Sequence, residues 1–177
     1  MAELSRRAWH RALAGLAVIA ACKPQAEVGD GTILTPYLRI GAVLADDSID
    51  DIARLGAVLI EAAQSQEGQA GIDEILAAAG RLASPDIATV RLAYRKMSEG
   101  MIAWLAAHAG ERGELQLIYC PMAFNNQGAY WVQRQGETAN PYEGAMMLRC
   151  GAKIGWDEHR PGAPPAGDTV VEGMQEE

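Results

Sequence analysis

Aromatic residues are scarce in this chain of 177 residues, where they make up 6% of the sequence and include a single Phe. A β-sandwich or barrel normally has more aromatic and β-branched residues, so the composition favours packed helices. Basic residues are also few, with 15 Lys and Arg against 23 Asp and Glu, which gives a net charge of −8. Because binding of nucleic acid needs clustered positive charge, we expect no nucleic-acid partner. Hydrophobic residues reach 49%, which is enough for one domain with a buried core.

The first apolar run, residues 12–21, is too short for a transmembrane helix, which takes about 20 residues. It follows a basic head that contains Arg6, Arg7 and Arg11, an arrangement typical of a signal peptide. Ile19-Ala20-Ala21 then precedes Cys22 and resembles a bacterial lipobox, in which the cysteine is acylated and becomes the mature N-terminus.

We therefore expect residues 1–21 to be a lipoprotein-type signal peptide and residues 22–34 to be a polar, Gly-rich tether. The protein would then lie on the periplasmic side of a bacterial membrane, attached by a lipid on Cys22. An ordinary signal peptide cleaved near Cys22, or a core helix, remains open.

Four stretches of the chain carry apolar residues at helical spacing. Thr35-Pro36 and Ser48 are expected to begin the first two helices, the break at residues 64–71 precedes the third, and Ser84-Pro85-Asp86 caps the fourth. The fourth stripe is the clearest and consists of Ile87, Val90, Tyr94, Met97, Met101, Trp104 and His108. We predict an all-α fold, an antiparallel bundle of about four helices with short connections.

The helical pattern ends near Glu114. Leu115, Leu117 and Tyr119 alternate like a brief strand or extended segment, and the chain from there to Trp156 is rich in Gly, Asn and Pro. We predict an irregular Cys- and Met-bearing segment packed on the bundle. The domain would span residues 35–156, followed by a disordered acidic tail over residues 157–177.

Residues 119–151 contain the most specific motif. It comprises Cys120-Pro121-Met122-Ala123, Gly128-Ala129-Tyr130-Trp131, Asn140-Pro141-Tyr142 and Met147-Leu148, with Cys150-Gly151 one residue further on. The pattern resembles a small bacterial domain of unknown function that occurs in exported proteins. That domain is also fused to CusB-type periplasmic adaptors of copper/silver efflux systems. The resemblance covers roughly residues 36–155 and departs at Glu143, where the family usually has an aromatic residue, and at Thr138-Ala139. It implies the handling of a soft heavy-metal ion and a place in an efflux or other envelope complex.

The sulfur-bearing residues themselves agree with a metal site. Cys120 with Met122, and Met147 with Cys150, offer two thiolates and two thioethers from two short segments. Soft sulfur ligands select Cu(I) and Ag(I) over hard cations. Met146 or His108 could add a ligand. The leading hypothesis is therefore a periplasmic lipoprotein that binds Cu(I) or Ag(I) in metal resistance or delivery.

A disulfide between Cys120 and Cys150 is the competing interpretation. These two cysteines are an even pair once Cys22 carries lipid, and export would place them in an oxidising compartment. The methionines would then fill the core. The alternative function is a disulfide-stapled interaction module that docks on an envelope complex. The sequence leaves both hypotheses open, and they can also be two redox states of one site.

Catalysis finds no support in the sequence. A nucleophile pair of Cys120 and His108 can be proposed, but no third orienting residue or oxyanion donor accompanies it. We expect the protein not to be an enzyme.

Overall fold

The computed structural model describes residues 32–159. The signal peptide, Cys22, most of the predicted tether and the tail beyond His159 lie outside the described residues. The helices and strands are α1 (Leu34–Ala45), α2 (Ile52–Gln64), α3 (Ile72–Ala79), α4 (Ile87–Ala107), β1 (Leu115–Cys120), the single turn α5 (Ala123–Asn126), β2 (Ala129–Arg134) and β3 (Ala152–Ile154). Short 3₁₀ turns at Ala109–Arg112 and Gly144–Met146 complete the list.

The predicted fourth helix is confirmed as α4. Its N-cap is Asp86, whose carboxylate accepts hydrogen bonds from the backbone N–H groups of Ala88 and Thr89. The predicted stripe is buried from Val90 to Trp104 and faces the other helices. The start of α3 approaches α4 so closely that a Cβ on Gly100 would lie 2.5 Å from the carbonyl oxygen of Gly71. Glycine at these two positions therefore allows the backbones to pack.

The first two helices begin elsewhere than predicted. Helix α1 begins at Leu34, and the buried Ile33 precedes it, so the hydroxyl of Thr35 does not provide the N-cap. Helix α2 begins at Ile52, after Asp51 in a left-handed conformation. The Ser48 hydroxyl instead accepts a hydrogen bond from the backbone N–H of Asp50 within the preceding turn. Local side-chain bonds of this kind compete with helix initiation.

The predicted all-α fold is wrong, because residues 115–154 form a three-stranded antiparallel sheet in the order β2-β1-β3. All six residues of the central strand β1 are buried. The overall scarcity of aromatic residues was misleading, since six of the ten lie between residues 119 and 156. Tyr130, Trp131 and Val132 give β2 the side chains that favour a strand.

The sheet packs on the helices through β2, whose outer edge is closed by two tyrosine hydroxyls. The Tyr37 hydroxyl of α1 accepts a hydrogen bond from the Val132 N–H at 3.1 Å. The Tyr142 hydroxyl donates to the Tyr130 carbonyl at 2.5 Å. At the end of the described chain, His159 lies 2.9 Å from Glu99 of α4 and packs its ring edge-on to Tyr130. The described chain thus ends in contact with α4.

Candidate functional site at the disulfide-stapled end

The structure joins Cys120 and Cys150 in a disulfide. Cys120 ends β1 and is fully buried, whereas Cys150 is half-buried two residues before β3. Their Cα atoms are 5.7 Å apart, within the usual range for this bond. The bond closes two neighbouring segments, residues 120–128 and 138–151, which we call the stapled end.

A left-handed turn shapes the first segment of the stapled end. Phe124, Asn125 and Asn126 all have φ between 54° and 65°, and Gly128 follows with φ 73°. Backbone bonds from the Asn126 N–H to the Met122 carbonyl and from the Gly128 N–H to the Ala123 carbonyl close the turn. Left-handed residues other than glycine carry strain, so the surrounding contacts must hold them in place.

Those contacts come from α4 and from the second segment. The guanidinium of Arg95 lies 5.0 Å above the centre of the Phe124 ring and donates a hydrogen bond to Gln127. The Phe124 N–H donates to the Glu143 carboxylate at 3.0 Å, and the Phe124 ring packs 5.1 Å from the ring of Tyr142. Glu143 thus serves as a hydrogen-bond acceptor for the backbone of the left-handed turn.

Asn140 organises the second segment from a fully buried position. Its side-chain oxygen accepts from the backbone N–H groups of Tyr142 and Glu143, while its amide donates to the Cys150 carbonyl at 3.0 Å. Its own backbone N–H donates to Leu148. Asn140 thus caps the turn that follows it and fixes the backbone of the second segment as far as Cys150.

Asp47 and Arg91 connect the stapled end to the helices. Arg91 donates to the Pro141 and Leu44 carbonyls and pairs with Asp47 at 2.6 Å. The second Asp47 oxygen accepts from the Ala145 N–H at 2.8 Å. The Ala145 hydrogen bond and the Arg91 guanidinium lower the pKa of the Asp47 carboxyl below its ordinary value. Nothing in the sequence pattern singled out Asp47, because its partner is 98 residues away.

A buried group of hydroxyls lies beneath the stapled end. Ser98 of α4 shares hydrogen bonds with Tyr37 at 2.8 Å and with Tyr142 at 3.1 Å. Burial raises the pKa of both tyrosines, as well as that of Tyr94, whose ring stacks on Tyr37 at 4.9 Å. All three phenols stay protonated at neutral pH. Tyr37 and Tyr142 act as fixed hydrogen-bonding groups, whereas the buried Tyr94 hydroxyl has no hydrogen-bond partner within residues 32–159. The network joins α1, α4, β2 and the second segment.

The methionines divide into two groups. Met97 and Met101 are fully buried in α4, as predicted for core residues. Met122 is 50% exposed and Met146 is 82% exposed, so neither fills the core. Met147 is half-buried. Met122 and Met146 are therefore accessible, and they lie two and four residues along the chain from Cys120 and Cys150.

His108 makes its side-chain contacts with Trp104. It follows α4, where its ring stacks on Trp104 at 4.5 Å and its Nδ1 lies 2.8 Å from the Trp104 carbonyl. In the part of the chain that the structure describes, no contact joins His108 to Cys120 or Cys150, so neither the predicted metal ligand nor a catalytic pair with Cys120 gains support. Within residues 32–159, no group of three or more His, Cys, Asp or Glu side chains could hold a metal ion.

Comparisons with known proteins assign neither a family nor a function to this chain. No family model matches this chain, and neither a curated protein nor a solved structure matches it significantly. Within residues 32–159, no helix is long and apolar enough to span a membrane. Function must therefore be argued from the stapled end itself.

Proposed function

We propose that this protein is a disulfide-stapled, non-enzymatic interaction module that docks on an envelope complex through its stapled end. The proposal is carried by the position of the exposed apolar side chains. Among the described residues, the large exposed ones are Leu92, Met122 and Met146. Met122 and Met146 belong to the stapled end. Leu92 lies between Arg91 and Arg95 in α4, and both arginines bind residues of the stapled end. Grouped exposed apolar side chains are typical of an interaction surface.

The construction of the stapled end also suits docking. The disulfide, Asn140 and the Arg91–Asp47 pair fix its backbone before a partner arrives, so little ordering would remain to oppose association. The methionine side chains stay adaptable on this fixed backbone, and methionine is favoured on surfaces that adjust to a partner. A rigid backbone that carries flexible side chains thus supports a binding role.

We further propose that a lipid on Cys22 holds the module on the periplasmic side of the membrane. A structural disulfide fits an oxidising compartment, and the lipobox-like residues precede Cys22. The variant Cys22→Ser should give an unprocessed or soluble product. A Cys22→Ser protein found at its mature mass in the membrane fraction would refute the lipid anchor.

The docking proposal is tested by site-specific photocrosslinking in cells. A photoreactive amino acid replaces Met146 or, in a second variant, Met122. As a control it replaces Glu67, which is exposed in the α2–α3 connection, next to the turn residues that bind Trp104 near the other end of α4. We expect adducts of one defined mass at the two methionine positions and none at Glu67. Equal adducts at all three positions, or none at any, would contradict docking through the stapled end.

Binding of Cu(I) or Ag(I) is a second candidate function, favoured by the exposed thioethers close to the two cysteines in the sequence. The oxidised pair offers no thiolate, so this function requires the reduced form, in which a dithiol reductant has supplied two electrons and two protons to the sulfurs. Cys120 and Cys150 would then supply thiolates, with Met122 or Met147 as thioether ligands, a donor set that suits soft monovalent ions.

Competition titration of the reduced chain against a Cu(I) chelator tests this second function. We expect one bound ion, with a large loss of affinity in Cys120→Ser or Cys150→Ser and a smaller loss in Met122→Leu/Met147→Leu. Leucine conserves the volume of methionine and should lower stability by less than about 1.5 kcal/mol, so unfolding would not explain the loss. Absence of binding by the reduced wild type would eliminate this candidate.

A further inference from the structure

Beside the stapled end, α4 presents a short stripe of one apolar and two basic side chains. Leu92, Arg95 and Lys96 are three and four residues apart, so they share one face of the helix. Leu92 is 52% exposed and Lys96 is also exposed. The ion pairs found within residues 32–159 involve neither Arg95 nor Lys96. This face therefore carries two positive charges that no carboxylate of the described chain neutralises.

Arg95 is held in a fixed position with one edge free. Its guanidinium lies over Phe124, and its Nη1 donates to the Gln127 amide oxygen at 3.2 Å. Its Nε and Nη2 groups donate no hydrogen bond within residues 32–159, and together they form the fork that receives a carboxylate through two bonds. Because the side chain is already ordered, binding a carboxylate here would lose little further conformational freedom.

The carboxylates near this stripe are engaged elsewhere. Glu143 accepts the Phe124 N–H, Glu99 pairs with His159, and Asp47 pairs with Arg91. A matching carboxylate would thus have to come from outside the described domain. The apolar neighbours Leu92 and Phe124 call for apolar side chains on the same ligand.

We infer that the stripe binds an acidic segment of the partner protein that also carries large apolar side chains. One carboxylate pairs with the free edge of Arg95, a second lies near Lys96, and an apolar side chain packs on Leu92 and Phe124. The inference rests on the proposed docking function and adds the chemistry of the partner. An anionic membrane fits less well, because two cations on a chain of net charge −8 give weak attraction to lipid headgroups.

Fluorescence anisotropy of the full chain, with its disulfide intact, tests the inference. The probe is a short labelled peptide in which glutamates surround two leucines. Matched peptides replace either the glutamates with lysine or the leucines with serine. We expect the acidic, leucine-bearing probe to bind best, with affinity that falls as salt rises.

Arg95→Gln and Lys96→Gln should each weaken binding about tenfold or less, and together by more. Arg81→Gln removes one charge from an exposed site outside the stripe and should leave binding unchanged.

Several outcomes would overturn the inference. They are absence of probe binding, equal binding of the lysine peptide, or equal weakening by Arg81→Gln. Tighter binding to vesicles of anionic phospholipid than to the probe would also reject it, in favour of a membrane surface. Because Lys96 is exposed and its side chain makes no hydrogen bond or ion pair within residues 32–159, loss of binding in Lys96→Gln cannot be attributed to unfolding. If crosslinking at Met146 succeeds while the probe fails, docking stands and only the partner chemistry is wrong. If both fail, the docking function itself is rejected.

Discussion

Helices α1–α4 and the stapled end achieve their burial by different means. The helices bury apolar stripes, such as the one from Val90 to Trp104, in which many side chains each contribute to stability. The stapled end instead depends on single groups, including the disulfide, the Asn140 amide and the Asp47 carboxylate. In the first region a substitution of similar volume should be tolerated, whereas in the second the loss of one group removes several contacts.

Removal of the disulfide should give the largest effect in the stapled end. The bond joins residues 30 apart, and in the chain-entropy model such a loop stabilises the fold by about 3–4 kcal/mol. Urea unfolding of Cys150→Ala should therefore show this loss relative to oxidised wild type. Wild type kept in a dithiol reductant serves as the control and should show a similar loss. A loss below about 1 kcal/mol in both samples would mean that the non-covalent contacts suffice.

The same substitution at two glycines should have opposite effects in the two regions. At Gly151, φ is +136°, and a Cβ would lie 2.6 Å from Trp131 and 2.7 Å from Ile118. Strain and overpacking should make Gly151→Ala destabilising by about 3 kcal/mol. At Gly80, which ends α3 with φ −60°, a Cβ meets nothing within 4 Å. Gly80→Ala should therefore stabilise by about 0.4–1 kcal/mol. Thermal and urea unfolding measure both, and effects of the same sign would undo the contrast.

Asn140→Ala should lower the free energy of unfolding by about 2–3 kcal/mol. The variant leaves the Cys150 carbonyl and the Tyr142 and Glu143 N–H groups without their side-chain partner. The control is Gln135→Ala, at an exposed position just after β2, and it should change stability by less than about 0.5 kcal/mol. Equal stability of the two variants would show that water replaces the asparagine without penalty.

The smallest expected effect is a pH dependence located at Asp47. Its pKa is lowered in the folded state, so its contribution is present above the ordinary value of 3.8 and is lost as pH falls through the lowered pKa. Unfolding measured from pH 6 to pH 2 should show a stability difference between wild type and Asp47→Asn that shrinks at the acidic end. Asp46→Asn controls for the loss of one negative charge from the same turn. A difference that stays constant with pH would rule out this linkage.

Periodicity alone predicted the helical half well. The stripe and cap of α4 follow from residue types a few positions apart, so the sequence indicates both. The starts of α1 and α2 were missed because neither has a side-chain cap. Ile33 has no capping group, and Asp51, although aspartate often caps helices, is left-handed and makes no cap hydrogen bond. The proximity of Cys120 and Cys150 was expected for both a disulfide and a shared metal site, and it is observed.

The sheet and most contacts of the stapled end could not be predicted in this way. Strand β1 showed alternation, but its partner β2 could be recognised only if the aromatic residues were considered locally instead of as an average. The roles of Ser98, Arg91 and Arg95 depend on residues 32 to 61 positions away. No short-range signal encodes such pairs, and exposure of Met122 and Met146 likewise follows from the tertiary fold.

The two tyrosine hydroxyls on β2 also bear on how copies of this protein would behave at high concentration. An uncovered strand edge invites pairing with a strand of another molecule and hence aggregation. Tyr37 and Tyr142 occupy the N–H of Val132 and the carbonyl of Tyr130, so β2 has no free groups at these positions to offer a second chain. The other edge, β3, is three residues long and carries the exposed Lys153, whose charge disfavours stacking of like strands. Both edges of the sheet are thus protected against pairing with strands of other molecules. Contacts with other proteins are left to side chains instead of the backbone.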